Sequence, residues 1–332
     1  MRLIQKKGLK HGLLFIFLSC FSMQMNGYAD QAIASTADAF LDSLVELAGA
    51  DEPRISAQSY IAVDMETGQV LTEKNAREPR SPASLTKLMT ALVAVDLYTL
   101  DETVTVYVPS LPNDAARIKL FTGEKLTARD LIAASLIASA NDAAYALAYG
   151  KPEGLDRFVE LMNAKAVTIG LSQTRYTNPV GFDGVGHETT AADIALVSKE
   201  VLNNEFLRSL VATRSQTIYS TDRLNSHFLY STNQLLGTDG VTGIKTGSTS
   251  LAGETLSLLV ELDGHEVLIV LMGSRDRFAD ARAMMQWLKV ERSWHTVGQS
   301  WCQPDWQYLL LTAQVETKEC VDYSKTIILP QF

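Results

Sequence analysis

Apolar residues follow a strand-like pattern before residue 75 and a helical pattern through the middle of the chain. Ser59–Val63 and Gln69–Thr72 are short apolar runs joined by a glycine-containing turn, which predicts a β-hairpin. Residues 82–210 are rich in alanine and leucine and favour helices. Two of these predicted helices start at a Thr-x-x-Asp capping box, one at Thr127 and one at Thr190.

The pattern changes again after residue 240. Three apolar runs predict strands, and a strong Asp-Gly hairpin signal joins the last two: Ile244–Gly247, Glu254–Glu261 and Glu266–Met272. A helix is predicted over Ala279–Val290. Strands on both sides of a helical region indicate an α+β domain whose antiparallel sheet is assembled from both ends of the chain.

Residues 1–29 have the features of a secretory signal peptide. Basic residues precede an apolar run at about Gly12–Met23, and the small-x-small pattern Gly27-Tyr28-Ala29 offers a cleavage site. The apolar run is shorter than the ~20 residues of a membrane-spanning helix. We therefore expect export to the periplasm or the extracytoplasmic face of the cell envelope, with an N-terminal helical leader at 30–53. A retained anchor and lipidation at Cys20 are the alternatives.

Charge and composition exclude several function classes. The 332 residues hold 29 Lys plus Arg against 38 Asp plus Glu, and no basic run offsets the net charge of −9. Such a chain repels a phosphate backbone, so nucleic acid is not an expected partner. Five His and three Cys lack the spacing of zinc sites, so no metal and no other cofactor is expected.

Residues 295–332 are predicted to form a short C-terminal β extension, because they contain two apolar strand candidates. The two cysteines that remain after signal removal, Cys302 and Cys320, lie in this segment. In an oxidising compartment they are expected to form a disulfide, and two buried free thiols are the alternative.

The first chemical motif is Ser84-Leu-Thr-Lys87, at the start of a strongly apolar helix. Residues three apart lie on the same face of a helix, so the Lys87 amine can reach the Ser84 hydroxyl. Burial and the helix dipole both favour a neutral amine, which pairs a nucleophile with its base on one turn. A helix-capping serine followed by a surface lysine gives the same pattern, so the motif is weak alone.

Two further motifs follow along the chain. Ser139-Ala-Asn141 places a hydroxyl and a carboxamide between two apolar helices, where each must find a partner. Lys245-Thr246-Gly247 ends a strand, where the missing side chain of Gly247 lets an extended ligand lie alongside as an added strand. Taken alone, Ser139-Ala-Asn141 is also typical of the break between two helices. Taken alone, Lys245-Thr246-Gly247 is also typical of an ordinary strand end that contains glycine.

Taken together, the three motifs resemble the serine acyl-enzyme set of penicillin-binding proteins and β-lactamases, because S-x-x-K, S-x-N and K-T-G occur in this order on a helix, an interhelical loop and a strand. The sequence resembles the D-alanyl-D-alanine carboxypeptidase family over about residues 54–290, which implies a catalytic domain at 54–294. Thr177–Gly181 is a further similar stretch. The resemblance implies a β-lactamase/transpeptidase-like fold: an antiparallel five-stranded sheet flanked by helices, with an all-helical subdomain.

The resemblance also implies roles for the catalytic residues. Ser84 would attack the carbonyl of the penultimate D-alanine of a peptidoglycan stem peptide while Lys87 takes its proton. Ser139 and Lys245 would pass a proton to the leaving amine, and Asn141 would orient Lys87 and the substrate amide.

The substrate-binding roles implied by the resemblance fall on the strand and the segment after it. Thr246, Gly247 and Ser248 would line the substrate, with the backbone N–H groups of Ser84 and Ser248 forming the oxyanion hole. Arg277 would bind the terminal carboxylate, with Arg275 as the competing choice. His187 also resembles a family position, and we expect it to make a structural hydrogen bond rather than to act in catalysis.

The family resemblance implies a serine D-Ala-D-Ala carboxypeptidase that β-lactams inhibit covalently. A DD-endopeptidase that cuts crosslinks is the first alternative. A class A-like β-lactamase comes next, although Leu171–Thr177 lacks the carboxylate that such enzymes use for deacylation. A non-catalytic wall-binding or β-lactam-sensing module is the last. Larger relatives carry a basic amphipathic C-terminal helix that rests on the membrane. The sequence after Ser293 does not have that pattern, which argues against surface anchoring, and peripheral membrane contact is kept as an alternative.

Overall fold

A computed structural model of the chain describes residues 52–291. The predicted signal peptide, residues 30–51 of the leader, and the C-terminal extension with Cys302 and Cys320 lie outside the described residues. What was expected of them stays a prediction.

The described residues form nine strands and seven helices. In chain order these are β1 (Ser59–Asp64), β2 (Val70–Lys74), α1 (Thr86–Leu97), β3 (Thr103–Thr105), β4 (Lys125–Thr127), α2 (Ala128–Ile137), α3 (Asn141–Tyr149), α4 (Gly154–Ile169), α5 (Ala191–Asn203), α6 (Glu205–Val211), β5 (Ser215–Tyr219), β6 (Ser226–Tyr230), β7 (Val241–Thr249), β8 (Gly253–Leu262), β9 (His265–Ser274) and α7 (Arg277–Glu291). Within residues 52–291, no helix combines the length and apolarity needed to cross a membrane.

Five strands form one antiparallel sheet in the order β2-β1-β9-β8-β7. Strand β1 pairs with β9, so that Ser59 lies opposite Met272 and Asp64 opposite Val267. The sheet is therefore assembled from both ends of the described chain, as the sequence pattern predicts. Among the strands of residues 52–291, β7 lies at one edge of the sheet and pairs with β8 alone, so its other side can receive an extended ligand. This strand carries the Lys-Thr-Gly motif.

Strand β9 is buried on both faces, which explains its uninterrupted apolar sequence. Its alternate residues enter two different hydrophobic clusters. One set packs with Met284 and Leu288 of α7: Val267, Ile269 and Leu271. The other set belongs to the cluster that includes α1 and α5: Leu268, Val270 and Met272.

The middle of the chain is less purely helical than its composition suggests. Two small antiparallel pairs, β3 with β4 and β5 with β6, do not appear in the sequence-based prediction. Each of these strands buries one apolar side chain only: Val104, Leu126, Ile218 and Leu229. One buried residue per strand produces no apolar run, so the pattern gives no signal.

Both predicted helix starts are confirmed, and each threonine is the N-cap of its helix. Thr127 Oγ1 accepts the Asp130 N–H at 3.2 Å, which starts α2, and Thr190 Oγ1 accepts the Asp193 N–H at 3.0 Å, which starts α5. Helix α2 ends at Ile137, two residues before Ser139 of the Ser-x-Asn motif.

Candidate active site

Ser84 lies in a 3₁₀ turn, Ala83–Leu85, that directly precedes α1. The sequence analysis places it in the first turn of the α-helix, whereas in the structure the α-helix begins two residues later, at Thr86. The cause is Ala83, whose φ of +49° breaks the helical path before the serine. The hydroxyl stays in reach of the next turn, and the Lys87 amine lies 2.9 Å from Ser84 Oγ.

Lys87 is fully buried in α1. Its amine donates a hydrogen bond to the carbonyl oxygen of Val180 at 2.7 Å. Burial lowers the pKa of Lys87 well below its ordinary value, the positive charge of Lys245 lowers it further, and the Asp142 carboxylate opposes the shift. A neutral amine beside a hydroxyl is a general base in contact with its nucleophile.

Ser139 and Lys245 form a second pair in the same site. Ser139 lies between α2 and α3 with a φ of +55°, a strained conformation for serine. The Lys245 amine donates to Ser139 Oγ at 2.8 Å and to the carbonyl oxygen of Thr246 at 2.9 Å. Burial lowers the pKa of Lys245 to about 7, and the charge of Arg277 contributes. Lys245 therefore exchanges its proton near neutral pH, as a proton relay requires.

Asn141 begins α3 and is buried, but its contacts differ from those expected. Its Oδ1 atom has no hydrogen-bond partner, so this atom does not orient Lys87. The carbonyl oxygen of Val180 accepts from Lys87 instead. Asn141 lines the cleft, but its unpaired Oδ1 atom is buried beneath the cleft surface.

The Ser84 turn is held between two glycines from distant parts of the chain. A Cβ atom built on Gly247 would lie 2.7 Å from Ser84 N and 3.0 Å from Ala83 Cβ. A Cβ on Gly181 would lie 1.8 Å from the Ala83 carbonyl oxygen. Backbone therefore packs on backbone at both contacts, which positions the nucleophile more tightly than side chains allow.

The loop at 177–187 contacts the catalytic lysine, a role that the sequence analysis did not predict. Asn178 Oδ1 accepts the backbone N–H groups of Val180, Gly181 and Phe182. This folds the loop so that Val180 offers its carbonyl oxygen to Lys87. The similarity of Thr177–Gly181 to the family is the only sequence signal for this role.

A cleft of about 520 Å³ connects these groups. Its lining includes most of the residues that the sequence predicts for the site: Ser84, Ser139, Asn141, Thr246, Gly247, Ser248 and Arg277. Lys87 and Lys245 lie beneath this lining, in contact with Ser84 and Ser139. Thr246 is fixed by a 2.7 Å hydrogen bond between its hydroxyl and that of Thr232.

Only one of the two candidate arginines lies in the cleft. Arg275 is exposed, whereas Arg277 lines the cleft. The Arg277 guanidinium donates to the carbonyl oxygen of Gly247 and pairs with Glu254 at 3.0 Å. Of the two arginines, Arg277 is the one whose position in the cleft, next to the Lys-Thr-Gly strand, fits the predicted contact with a carboxylate.

The lowered pKa of Lys245 predicts that acylation slows as the pH rises through about 7. Below that pH Lys245 carries the proton that the leaving group needs, and above it the proton is lost. Removing the charge of Arg277 raises the pKa of Lys245, so Arg277→Met should move this falling limb to higher pH, whereas Arg277→Lys should leave it in place. Acylation rates measured as a function of pH test this, and an unmoved limb in Arg277→Met would contradict the electrostatic cause.

The paired Ser–Lys contacts have the arrangement that a serine enzyme needs to work through an acyl intermediate. Among residues 52–291, no group of three or more His, Cys, Asp and Glu side chains is arranged to hold a metal ion.

Comparison with known proteins identifies the family. The profile of peptidase family S11, described as D-alanyl-D-alanine carboxypeptidase, matches residues 47–276. The D-alanyl-D-alanine carboxypeptidase DacF of Bacillus subtilis is 30% identical over 239 residues, which cover 69% of this chain and 61% of that protein. The D-alanyl-D-alanine endopeptidase of Escherichia coli is 30% identical over 276 residues, covering 79% and 84%. The chain belongs to the D-alanyl-D-alanine carboxypeptidase family.

A solved structure agrees with this assignment. The Streptomyces K15 DD-transpeptidase matches with a TM-score of 0.66 and 29% sequence identity, covering 72% of this chain and 98% of that one. The chain spans about three fifths of the length of DacF.

Proposed function

We propose that this protein is a serine-type D-Ala-D-Ala carboxypeptidase acting on peptidoglycan stem peptides. The observation that carries the proposal is the pair of contacts in one cleft: Lys87 with Ser84 at 2.9 Å and Lys245 with Ser139 at 2.8 Å. One pair activates a nucleophile and the other holds a proton for a leaving group. Family membership supports the substrate class.

In the first step the Ser84 hydroxyl gives its proton to the Lys87 amine, and Oγ bonds to the carbonyl carbon of the penultimate D-alanine. The peptide C–N bond breaks, and the leaving nitrogen receives a proton from the Ser139 hydroxyl, which Lys245 replaces. Terminal D-alanine leaves, with its carboxylate facing Arg277. The oxyanion formed on the way accepts hydrogen bonds from the backbone N–H groups of Ser84 and Ser248.

In the second step a water molecule occupies the position that the departed D-alanine amine has left. After proton exchange with solvent has restored both lysines, Lys87 takes a proton from the water, which adds to the ester carbonyl. The ester bond then breaks and Ser84 Oγ regains its proton. A β-lactam enters the same first step, but its ring nitrogen stays attached to the acyl group, so the leaving group remains in the cleft and the acyl-enzyme persists.

The decisive experiment is digestion of purified muropeptides with mass-spectrometric readout. The wild-type protein should release free D-alanine and become labelled by a fluorescent penicillin, and Ser84→Ala should do neither. Ser209→Ala, which removes a surface hydroxyl outside the cleft lining, serves as the matched control and should keep both activities. Covalent labelling of Ser84→Ala would refute the assignment of the nucleophile.

A DD-endopeptidase is the second candidate, and one observation favours it. The E. coli endopeptidase is covered over 84% of its length, whereas the carboxypeptidase DacF is covered over 61%. The same digestion separates the two activities, because an endopeptidase splits crosslinked dimers and a carboxypeptidase shortens pentapeptides without splitting them.

Two other hypotheses make different predictions for the same protein. A β-lactamase would turn over a chromogenic cephalosporin rapidly, whereas we expect a slow release of the acyl group. A non-catalytic sensor would bind a β-lactam without covalent labelling.

The expected place of action is outside the cytoplasmic membrane, since peptidoglycan lies there. The signal-like residues 1–29 support export. N-terminal sequencing of the protein from an extracytoplasmic fraction should give a mature chain that starts at Asp30.

A further inference from the structure

His187 is a buried residue of the 177–187 loop that takes no part in the mechanism described above. Its ring joins this loop to α1. The backbone N–H of Thr177 donates to Nδ1 at 3.0 Å, and Nε2 lies 2.9 Å from the hydroxyl oxygen of Thr86. The sequence predicts a structural hydrogen bond for His187, and these contacts give it two specific partners.

The contacts fix the direction of each hydrogen bond. A backbone N–H can only donate, so Nδ1 accepts and the ring hydrogen lies on Nε2. His187 therefore donates to Thr86, whose own hydroxyl hydrogen goes to the carbonyl oxygen of Ala83 at 2.9 Å. Burial lowers the pKa of His187 to about 4, with the charge of Asp183 opposing, so the neutral ring required by this arrangement is present at neutral pH.

The end of this chain of hydrogen bonds is next to the nucleophile. The carbonyl of Ala83 and the N–H of Ser84 belong to the same planar peptide group and point in opposite directions. Fixing the carbonyl oxygen of Ala83 therefore fixes the direction of the Ser84 N–H, one of the two expected oxyanion donors. The backbone N–H of Thr86 also donates to the Ala83 carbonyl, so the Thr86 hydroxyl is a second donor to this oxygen. The φ of +49° at Ala83 is strained for alanine, so a second donor helps to hold the peptide group in place.

We propose that His187 is a positioning residue that orients the oxyanion-binding N–H of Ser84, acting through the Thr86 hydroxyl and the Ala83 carbonyl. The inference rests on the proposed acyl-enzyme mechanism, because only that mechanism gives the Ser84 N–H an oxyanion to stabilise.

Two substitutions of His187 test this because each keeps one half of the ring's bonding. Glutamine places an amide N–H near the position of Nε2 and keeps the donor to Thr86. Asparagine places an acceptor near Nδ1 and keeps the bond to the Thr177 N–H. We expect His187→Asn to lower the acylation rate constant for a fluorescent penicillin at least about 10-fold, and His187→Gln to restore most of it. Noncovalent binding of the penicillin, measured from the saturation of the rate, should be similar in all three proteins.

If His187 only anchored the loop, its bond to the Thr177 N–H would be the important one. His187→Asn, which keeps that bond, should then acylate normally, and His187→Gln should be the slower variant. His187→Asn acylating at the wild-type rate, or both variants losing acylation only in proportion to a lower melting temperature, would overturn the proposal. D-alanine release by the wild type would still support the proposed function in that case.

Thr86 provides an independent test if the His187 variants fold poorly. Thr86→Val removes the linking hydroxyl at nearly constant volume and should slow acylation as much as His187→Asn does. The double variant should be no slower than either single variant, because both substitutions break the same connection. Thr168→Val, which removes a hydroxyl from an exposed turn of α4, is the matched control. Fully additive losses in the double variant would contradict a shared pathway.

Discussion

Lys87→Met is expected to reduce acylation of Ser84 at least about 10³-fold while leaving the protein folded. The reason is that Lys87 is the base 2.9 Å from the nucleophile, and its lowered pKa is what keeps the amine neutral. Methionine has a similar length and fills the same buried space without a titratable group. The measurement is the rate of covalent labelling by a fluorescent penicillin, followed by mass spectrometry of the intact protein.

The melting temperature of Lys87→Met separates this loss from unfolding. A buried amine carries a desolvation cost that methionine lacks, so the variant should melt at the wild-type temperature or above it. Lys87→Arg keeps a positive charge that cannot be removed at ordinary pH, so it should be as inactive as the methionine variant. Lys165→Met, at an exposed ion pair with Asp96, should acylate normally. Rapid labelling of Lys87→Met would show that another group takes the proton.

Contacts within the active site explain how much of it the sequence predicts. Ser84 and Lys87 are three residues apart, so their contact follows from local helical geometry. The contact between Ser139 and Lys245 spans a separation of 106 residues. That contact is expected only from the resemblance to a family in which the three motifs meet.

Contacts made by backbone atoms are what the sequence leaves out. Lys87 donates to the carbonyl of Val180, and every residue has a carbonyl, so no residue type marks this partner. The same holds for the packing of Gly181 on Ala83, where the sequence shows a glycine but not what lies against it. Sequence reasoning therefore identifies the side chains that react and misses the loop that positions them.

The strands, too, differ in how far the sequence predicts them. Strand β9 is predictable because an apolar run buried on both faces is visible in the sequence. The β5–β6 pair is not, because Ile218 and Leu229 are its only buried apolar residues and tertiary contacts determine its conformation.

Gly181→Ala is the second substitution with a large expected effect, and it acts on the loop that the sequence did not reveal. The new Cβ would lie 1.8 Å from the Ala83 carbonyl oxygen and 2.3 Å from its carbonyl carbon. Both are backbone atoms, so no side-chain rotation relieves the overlap. Gly181 also has a φ of +93°, which alanine adopts only with strain.

The loop or the Ser84 turn must therefore move in Gly181→Ala, and either shift separates Val180 from Lys87 or displaces the nucleophile. A misplacement of about 1 Å costs on the order of 10²-fold in rate, so we expect acylation to fall at least about 100-fold and the melting temperature to fall by at least about 5 °C. Gly184→Ala is a control in the same loop, since its Cβ would meet nothing closer than 3.4 Å. It should acylate and melt like the wild type. Normal acylation by Gly181→Ala would mean that close packing of this loop on Ala83 does not set the position of Ser84.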